Sequence, residues 1–306
     1  MKYFLIPLLL LLVFGSSSAQ HLRLSLNLIK GNTYYMTGTS NSAVVQTVNG
    51  QENEINLGLS YKIAFKVTDV MDSVYNMEVR YQYLDMKIKA ADKTIEMDSK
   101  KNDRQDVPST IIAAMMNKPF IILITKRGKI RSMNNVEKMI TGVFDNFPQL
   151  DITKKEQIKN QLLQTIGGNN FKGNLEMETA IFPENAVAKN DKWTVHTKLE
   201  STGKINVHTV YQLIDTKGGI CQIHGQGAMA TDKNSKPSQI NGLPVKYSIS
   251  GTSVSDIKGD KTTGWVKEFR LKQVMKGNVQ ILDNPKVPGG VSFPMTVNTE
   301  IVTTDK

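Results

Sequence analysis

The chain has 306 residues, a formal net charge of +10 and one cysteine. That length can bury one large β-rich domain or two coupled ones, and a lone thiol excludes an internal disulfide framework, so the fold must hold without covalent staples. The positive charge does not indicate nucleic acid, because the lysines (Lys62, Lys66, Lys87, Lys89) are dispersed through strand patterns instead of clustered with aromatics; a solvated outer face, or attraction to an anionic membrane or polysaccharide, accounts for it.

Residues 1–19 carry Lys2, an apolar run from Tyr3 to Phe14, and small residues Ser17 and Ala19 ahead of Gln20. This is the pattern of a secretory signal peptide cleaved after Ala19, since the apolar run is roughly a dozen residues and a membrane span needs about 20. No cysteine stands at the cut, which excludes lipoprotein attachment there. The mature chain is expected to be periplasmic or secreted, without a transmembrane segment.

From His21 to Thr125 the hydrophobic pattern is mostly period two. Tyr61, Ile63, Phe65 and Val67 alternate with Lys62 and Lys66, a half-buried antiparallel strand with one wet face. The run beginning at Val74 alternates Tyr75, Met77, Val79, Tyr81 and Tyr83 against polar residues and pairs with the first through the turn at Met71-Asp72-Ser73. A charged edge strand follows at Lys93, then a short helix after Asp106 with Pro108 near its first position. A hairpin turns at Lys126-Arg127-Gly128-Lys129.

Residues 134–167 are the clearest helical stretch. Val136, Met139, Ile140, Val143, Phe144 and Phe147 form one apolar stripe on a 3.6-residue period, stopped by Pro148. Thr153 with Glu156 reads as a capping box opening a second helix, whose stripe is Ile158, Leu162 and Ile166 and whose C′ residue is Gly167. From Asn170 the strand grammar of the first half returns, with Lys189 to His196 echoing Lys30 to Thr37, and the hairpin from Ile205 echoing that from Tyr61. A turn is expected at Thr202-Gly203, and residues 232–244 read as a polar surface loop. Strands at 246–258, 264–277 and 293–304 complete the chain. The expected fold is therefore mainly β: one or more curved antiparallel sheets in two similar halves (20–133 and 168–306), with a central helical hairpin (134–167) packed on the sheet.

Chemistry-bearing patterns are sparse. His196 and His208 should face each other across a hairpin, but no third ligand falls at zinc spacing, and neither HExxH nor CxxC occurs. There is no GxSxG elbow. Cys221 sits in a strand pattern as a buried thiol, Trp193 and Trp265 enter strands after turns as packing residues, and Glu176 and Glu178 read as the solvent-facing parity of one strand. No catalytic residues, metal site or cofactor are expected, and the protein is read as non-enzymatic.

The early KGNTYY, the ITKRGKIRSMNNVEKMI passage into helices, FPENAVAKNDKWTV and SGTSVSDIKGDKTTGWVKEF together resemble an uncharacterised family of exported Bacteroidota proteins known as a domain of unknown function. The resemblance spans nearly the whole mature chain, with Asn190 where the family usually has glycine before Asp and Trp. It implies no catalytic residues. The architecture is also similar to the periplasmic lipoprotein carriers, which hold acyl chains between sheet and helices. Two functions of different class follow: a binding or carrier module for a lipid or other apolar ligand, and a structural or interaction component of the cell envelope that augments a partner's sheet. For the first, the candidate ligand-binding residues are Tyr61, Phe65, Met77 and Tyr81 on strands and Val136, Met139, Ile140 and Val143 on the first helix; a filled core at the same place is the competing expectation.

Overall fold

A computed structural model describes residues 21–101, 103, 105–199, 203–240 and 242–306. The leader expected at residues 1–19, and Thr202 of the expected turn, lie outside the described residues.

The alternating patterns form strands, and the strands form a single antiparallel sheet. They are β1 (Thr33–Val48), β2 (Gln51–Met71), β3 (Val74–Ala90), β4 (Lys93–Asp98), β5 (Phe120–Thr125), β6 (Ile130–Asn134), β7 (Lys192–Leu199), β8 (Ile205–Asp215), β9 (Ile220–Thr231), β10 (Ser238–Ile240), β11 (Leu243–Asp260), β12 (Val266–Ile281) and β13 (Val291–Thr304). The spatial order is β6-β5-β3-β2-β1-β13-β12-β11-β9-β8-β7, with β4 extending the ladder along β3 and β10 pairing β11. The expected halves are joined where β1 pairs β13, Gly38 standing opposite Thr303. Residues 232–244 are not only loop: Ser238–Ile240 pairs back on Leu243–Val245.

This order decides where the helices lie. β6 and β7 are consecutive strands at opposite edges of an unclosed, curved sheet, so the chain between them must cross from one edge to the other. It does so as α2 (Val136–Thr141), a single 3-10 turn at Phe144–Asn146, α3 (Ile152–Ile166) and α4 (Gly168–Thr179); α1 (Val107–Met115) packs on β3 and β4. The expected long first helix is broken after Gly142, yet its stripe survives: Val136, Met139, Ile140, Val143, Phe144 and Phe147 are all buried. The cap of α3 is Asp151, whose carboxylate accepts from the Thr153 and Lys154 N–H groups, and not Thr153. Gly167 is extended (φ −66°, ψ 168°) and forms the joint between α3 and α4 instead of a left-handed cap.

The largest correction concerns residues 168–179, expected as strand and observed as helix α4. This helix bridges both free edges. On one side Thr179 Oγ1 donates to Gly128 O at 2.8 Å, and Glu176 Oε1 accepts from the Ile130 N–H of β6 at 2.7 Å. On the other, Gly173 lies against Lys198 and Leu199 of β7. Gly128 has φ +77°, and a Cβ there would stand 1.8 Å from Thr179 O, so the β5–β6 turn accepts the end of α4 only without a side chain.

The inner face of the sheet is apolar and the outer face carries the charge. One core cluster joins Phe65, Met77, Tyr81, Phe120 and Ile122 of the sheet to α1, the α2 stripe, Leu162, Ile166, Phe171 and Leu175. A second, on the inner face of β7 to β13, contains Leu199, Ile205, Val207, Met229, Ile249, Met275 and Met295. Trp265 is sealed in the first, its Nε1 donating to Tyr35 O at 3.0 Å, with Tyr34 and Phe65 rings against it. Trp193 Nε1 donates to Ile181 O at 2.8 Å, so both indoles are packing residues.

Candidate functional site

Between the two clusters the inner face is not filled. A cavity of about 450 Å³ runs beneath the end of α3 and the length of α4, floored by β1, β2 and β13 and reaching β8, β11 and β12. Its walls are mostly apolar: Leu57, Leu59, Ile63 and Phe65 from β2, Val44 and Met36 from β1, Met295, Val297 and Ile301 from β13, and Ile166, Phe171, Leu175 and Met177 from the helices. Ser40, Ser42 and Thr299 add hydroxyls, and Ser42 Oγ and Thr299 Oγ1 bond each other at 2.9 Å. Among the described residues that line it there is no Lys, Arg or His; the single acid is Glu178.

Glu178 sits on α4 with 5% of its surface exposed. Its Oε1 accepts from the Tyr61 hydroxyl at 3.4 Å, a long bond, and that hydroxyl pairs with Thr303 Oγ1 at 3.0 Å; with Tyr61 donating to the carboxylate, Thr303 donates to Tyr61. Oε2 is buried and has no hydrogen-bond partner among the described residues. Burial outweighs the lowering effect of the nearby Thr303 and Tyr61 hydroxyls and pushes the carboxyl up to about 7. Burial, and then the nearby Glu178 charge, raise the Tyr61 phenol well above its ordinary value.

A glycine makes this arrangement possible. Gly38 of β1 is registered against both Tyr61 on β2 and Thr303 on β13. A Cβ at Gly38 would meet the end of the Tyr61 ring at 2.6 Å and Thr303 Oγ1 at 2.9 Å, so the ring lies flat across β1 and delivers its hydroxyl to the neighbouring strand. Without that bare position the phenol could not reach Thr303 and Glu178 together.

Glu176 and Asn170, also buried on α4, divide by role. Glu176 faces the β6 edge, where its Oε1 satisfies the Ile130 N–H; burial raises its pKa, against that hydrogen bond. This carboxylate is a cover for an otherwise unpaired strand edge. Asn170 lines the cavity, its Nδ2 donating to Gln164 O while Oδ1 is buried with no partner.

Of the residues singled out from sequence, the structure brings Tyr61, Phe65 and Tyr81 together on the cavity wall. Met77, Val136, Met139, Ile140 and Val143 are not there; they are 0–5% exposed and interdigitate in the first core cluster. The space beneath α2 is thus filled core, and the open space lies beneath the end of α3 and α4. Glu176 and Glu178, expected on a wet strand face, are both buried. Sequence reasoning missed Glu178 because period-two parity places it opposite Leu175 and Met177. Helical spacing, Phe171, Leu175 and Glu178 at i, i+4 and i+7, places it on the apolar stripe, and that was the available signal.

His196 and His208 face each other across β7 and β8 on the exposed side, ring centroids 4.5 Å apart. Among the described residues no group of three or more His, Cys, Asp or Glu could hold a metal ion. Cys221 is buried, and burial pushes its thiol up, the wrong direction for a nucleophile. No described helix is long and apolar enough to cross a membrane.

The sequence model of a family of unknown function, DUF6263, matches residues 72–266. The chain belongs to that family. The DUF6263 match takes in β3 to β11 and all four helices, hence Tyr81, Phe171 and Glu178, while Gly38, Tyr61 and Thr303 fall outside it. No curated protein matches the chain by sequence. Among solved structures, lipovitellin, described for its lipid–protein interactions, is similar at TM-score 0.49 and 10% identity over 92% of this chain and 25% of that one. The chain thus spans a quarter of the lipovitellin chain it matches. An outer membrane channel from Pseudomonas putida (TM-score 0.22, 7% identity, 91% and 97% of the two chains) and the translocator domain of the autotransporter NalP from Neisseria meningitidis (0.20, 6%, 91% and 90%) are also similar. At these values the likenesses carry nothing about function.

Proposed function

We propose that this DUF6263 protein is an exported, non-catalytic binding module that carries a lipid or similar amphiphile in the space beneath α3 and α4. The observation that supports the reading is the cavity itself. Its volume of about 450 Å³ falls within the roughly 300–1,000 Å³ of small-molecule sites, which are mostly apolar with a few placed polar groups. Interiors are otherwise packed to crystal-like density, so a void of this size between two well-filled clusters is unlike ordinary core. The signal-peptide pattern of residues 1–19 supports export to the periplasm or beyond, where an apolar ligand would need shielding from water.

The test is extraction of the protein purified under mild conditions from its native source. Organic solvent should release an amphiphile in near-stoichiometric amount, and native mass spectrometry should show the same mass bound. Leu59, half-buried on the cavity wall, is the residue to change: Leu59→Trp should fill the space and yield protein with an unchanged circular dichroism spectrum and an empty extract. An empty extract from the unmodified protein, with a stoichiometric envelope protein co-purifying instead, would replace this reading with that of a structural or interaction component.

A further inference from the structure

Glu178 is an odd wall residue for an apolar carrier. A buried carboxylate normally has its acceptor sites filled or a cation beside it, because an unpaired buried charge is strongly penalised. Here one oxygen takes a single long bond from Tyr61 and the other takes none. The described lining supplies no cation. Nor is the carboxyl needed to hold α4, whose contacts with the sheet edges run through Thr179, Glu176 and Gly173.

The deficit has a sign. The two buried cavity-lining side-chain atoms without a partner, Glu178 Oε2 and Asn170 Oδ1, are both acceptors, and they lie eight residues apart on α4, roughly 12 Å along its axis. What is lacking at each is a donor. A ligand with a carboxylate or phosphate head would bring more acceptors and a second negative charge next to Glu178, with no Lys, Arg or His among the described wall residues to meet it. A ligand with an ammonium head would bring donors and the missing counter-charge together, and charge-assisted hydrogen bonds of this kind are about twice as strong as neutral ones.

On the carrier reading, we propose that Glu178 is its headgroup site: the cavity takes a single-chain amphiphile ending in a primary ammonium, held by the Glu178 carboxylate and ordered by the Tyr61–Thr303 hydroxyl pair, with the chain along the Leu57–Leu59 wall. Tyr61, itself held by Thr303, engages Oε1 and so leaves Oε2 free to accept from the ligand. The raised pKa of the empty site follows from the same unpaired burial, and it gives the site a pH dependence, because the ammonium is bound by the ionised form.

Calorimetric titration of ligand-free protein, refolded from denaturant, with dodecylamine, dodecanol and dodecanoate below their micellar concentrations tests this. At pH 8 dodecylamine should bind at least tenfold more tightly than either of the others. At pH 6, where a carboxyl titrating near 7 is about one-tenth ionised, its affinity should fall about tenfold, while dodecanol changes little. Glu178→Gln should erase both the preference for the amine and its pH dependence; the pH series on the unmodified protein stands even if that variant folds poorly. Equal binding of dodecanol or dodecanoate, or an amine affinity independent of pH, overturns the headgroup assignment and leaves the carrier reading in place. Binding of none of the three removes the carrier reading, and the headgroup site with it.

Discussion

The substitution Glu178→Gln should stabilise the ligand-free protein, by an amount that grows as pH rises from about 4.5 to about 7 and is constant above that. In the folded chain burial raises the carboxyl from 4.5 to about 7, whereas in the unfolded chain it titrates near 4.5. Below that value both states are protonated and the group has no effect on the pH dependence of stability. Between the two values the unfolded chain has released its proton and the folded chain has not, so stability falls as pH rises, and it levels off once the folded carboxyl has ionised. A separation of about 2.5 units at about 1.4 kcal/mol per unit gives a loss of roughly 3 kcal/mol between pH 4 and pH 8. Glutamine keeps the shape and the bond to Tyr61 without the charge, so the variant should match the unmodified protein near pH 4 and exceed it by about 3 kcal/mol at pH 8. Urea unfolding of both proteins at pH 4, 6 and 8 reads this difference directly, since the remaining carboxylates titrate alike in both. A gap that does not change with pH, or a variant less stable than its parent at pH 8, would refute the account of Glu178 as a buried, unpaired charge.

Three further outcomes follow from how the helices pack on the sheet. Glu176→Ala removes the acceptor of a buried backbone N–H at 2.7 Å and should lower stability by about 1.5–3 kcal/mol, with faster hydrogen exchange at the Ile130 amide; unchanged exchange there would show that the edge is covered by other means. Met139→Trp inserts volume into a packed site 5% exposed and should destabilise the fold by about 1–3 kcal/mol without reducing dodecylamine binding, in contrast to Leu59→Trp, which should reduce binding with little change in the urea midpoint. Gly128→Ala forces a Cβ to 1.8 Å from Thr179 O at a positive φ, with an expected loss of about 3 kcal/mol; a urea midpoint equal to that of the parent would mean that α4 does not rest on the β5–β6 turn.

The sheet was legible in the sequence because period-two alternation is enforced residue by residue. In β2, β3, β11 and β12 one face meets apolar side chains and the other meets water, and any slip would expose the whole apolar set. Hairpin turns such as Asp72, at φ +46°, and Gly128 were legible for the same local reason. The order of the strands was not. Nothing near Thr33 or Thr304 says that β1 and β13 will pair, because that contact closes a separation of nearly the whole chain and is specified only by the rest of the sheet being in place. From that unreadable pairing follows the position of β6 and β7 at opposite edges, and from their separation follows the need for α4.

The candidate site was half legible for a related reason. Tyr61, Phe65 and Tyr81 were found because they belong to strands whose inner parity was already clear. Choosing α2 as their partner assumed that the strongest apolar stripe covers the site. A stripe that complete fills its own space instead, as the burial of Val136, Met139, Ile140 and Val143 shows. A cavity needs a weaker stripe, and α4 has one: Phe171, Leu175 and Glu178 on its inner side, with an acid where a leucine would have closed the core. The segment read as strand because Leu175, Met177 and Thr179 alternate with Glu176 and Glu178. The two periods disagree about a single question, which side Glu178 faces, and the contact of α4 with both sheet edges decides it. A charged residue that violates one periodicity and satisfies another is thus itself a signal: if the satisfied period buries the charge, the residue is either an error in the reading or part of a site.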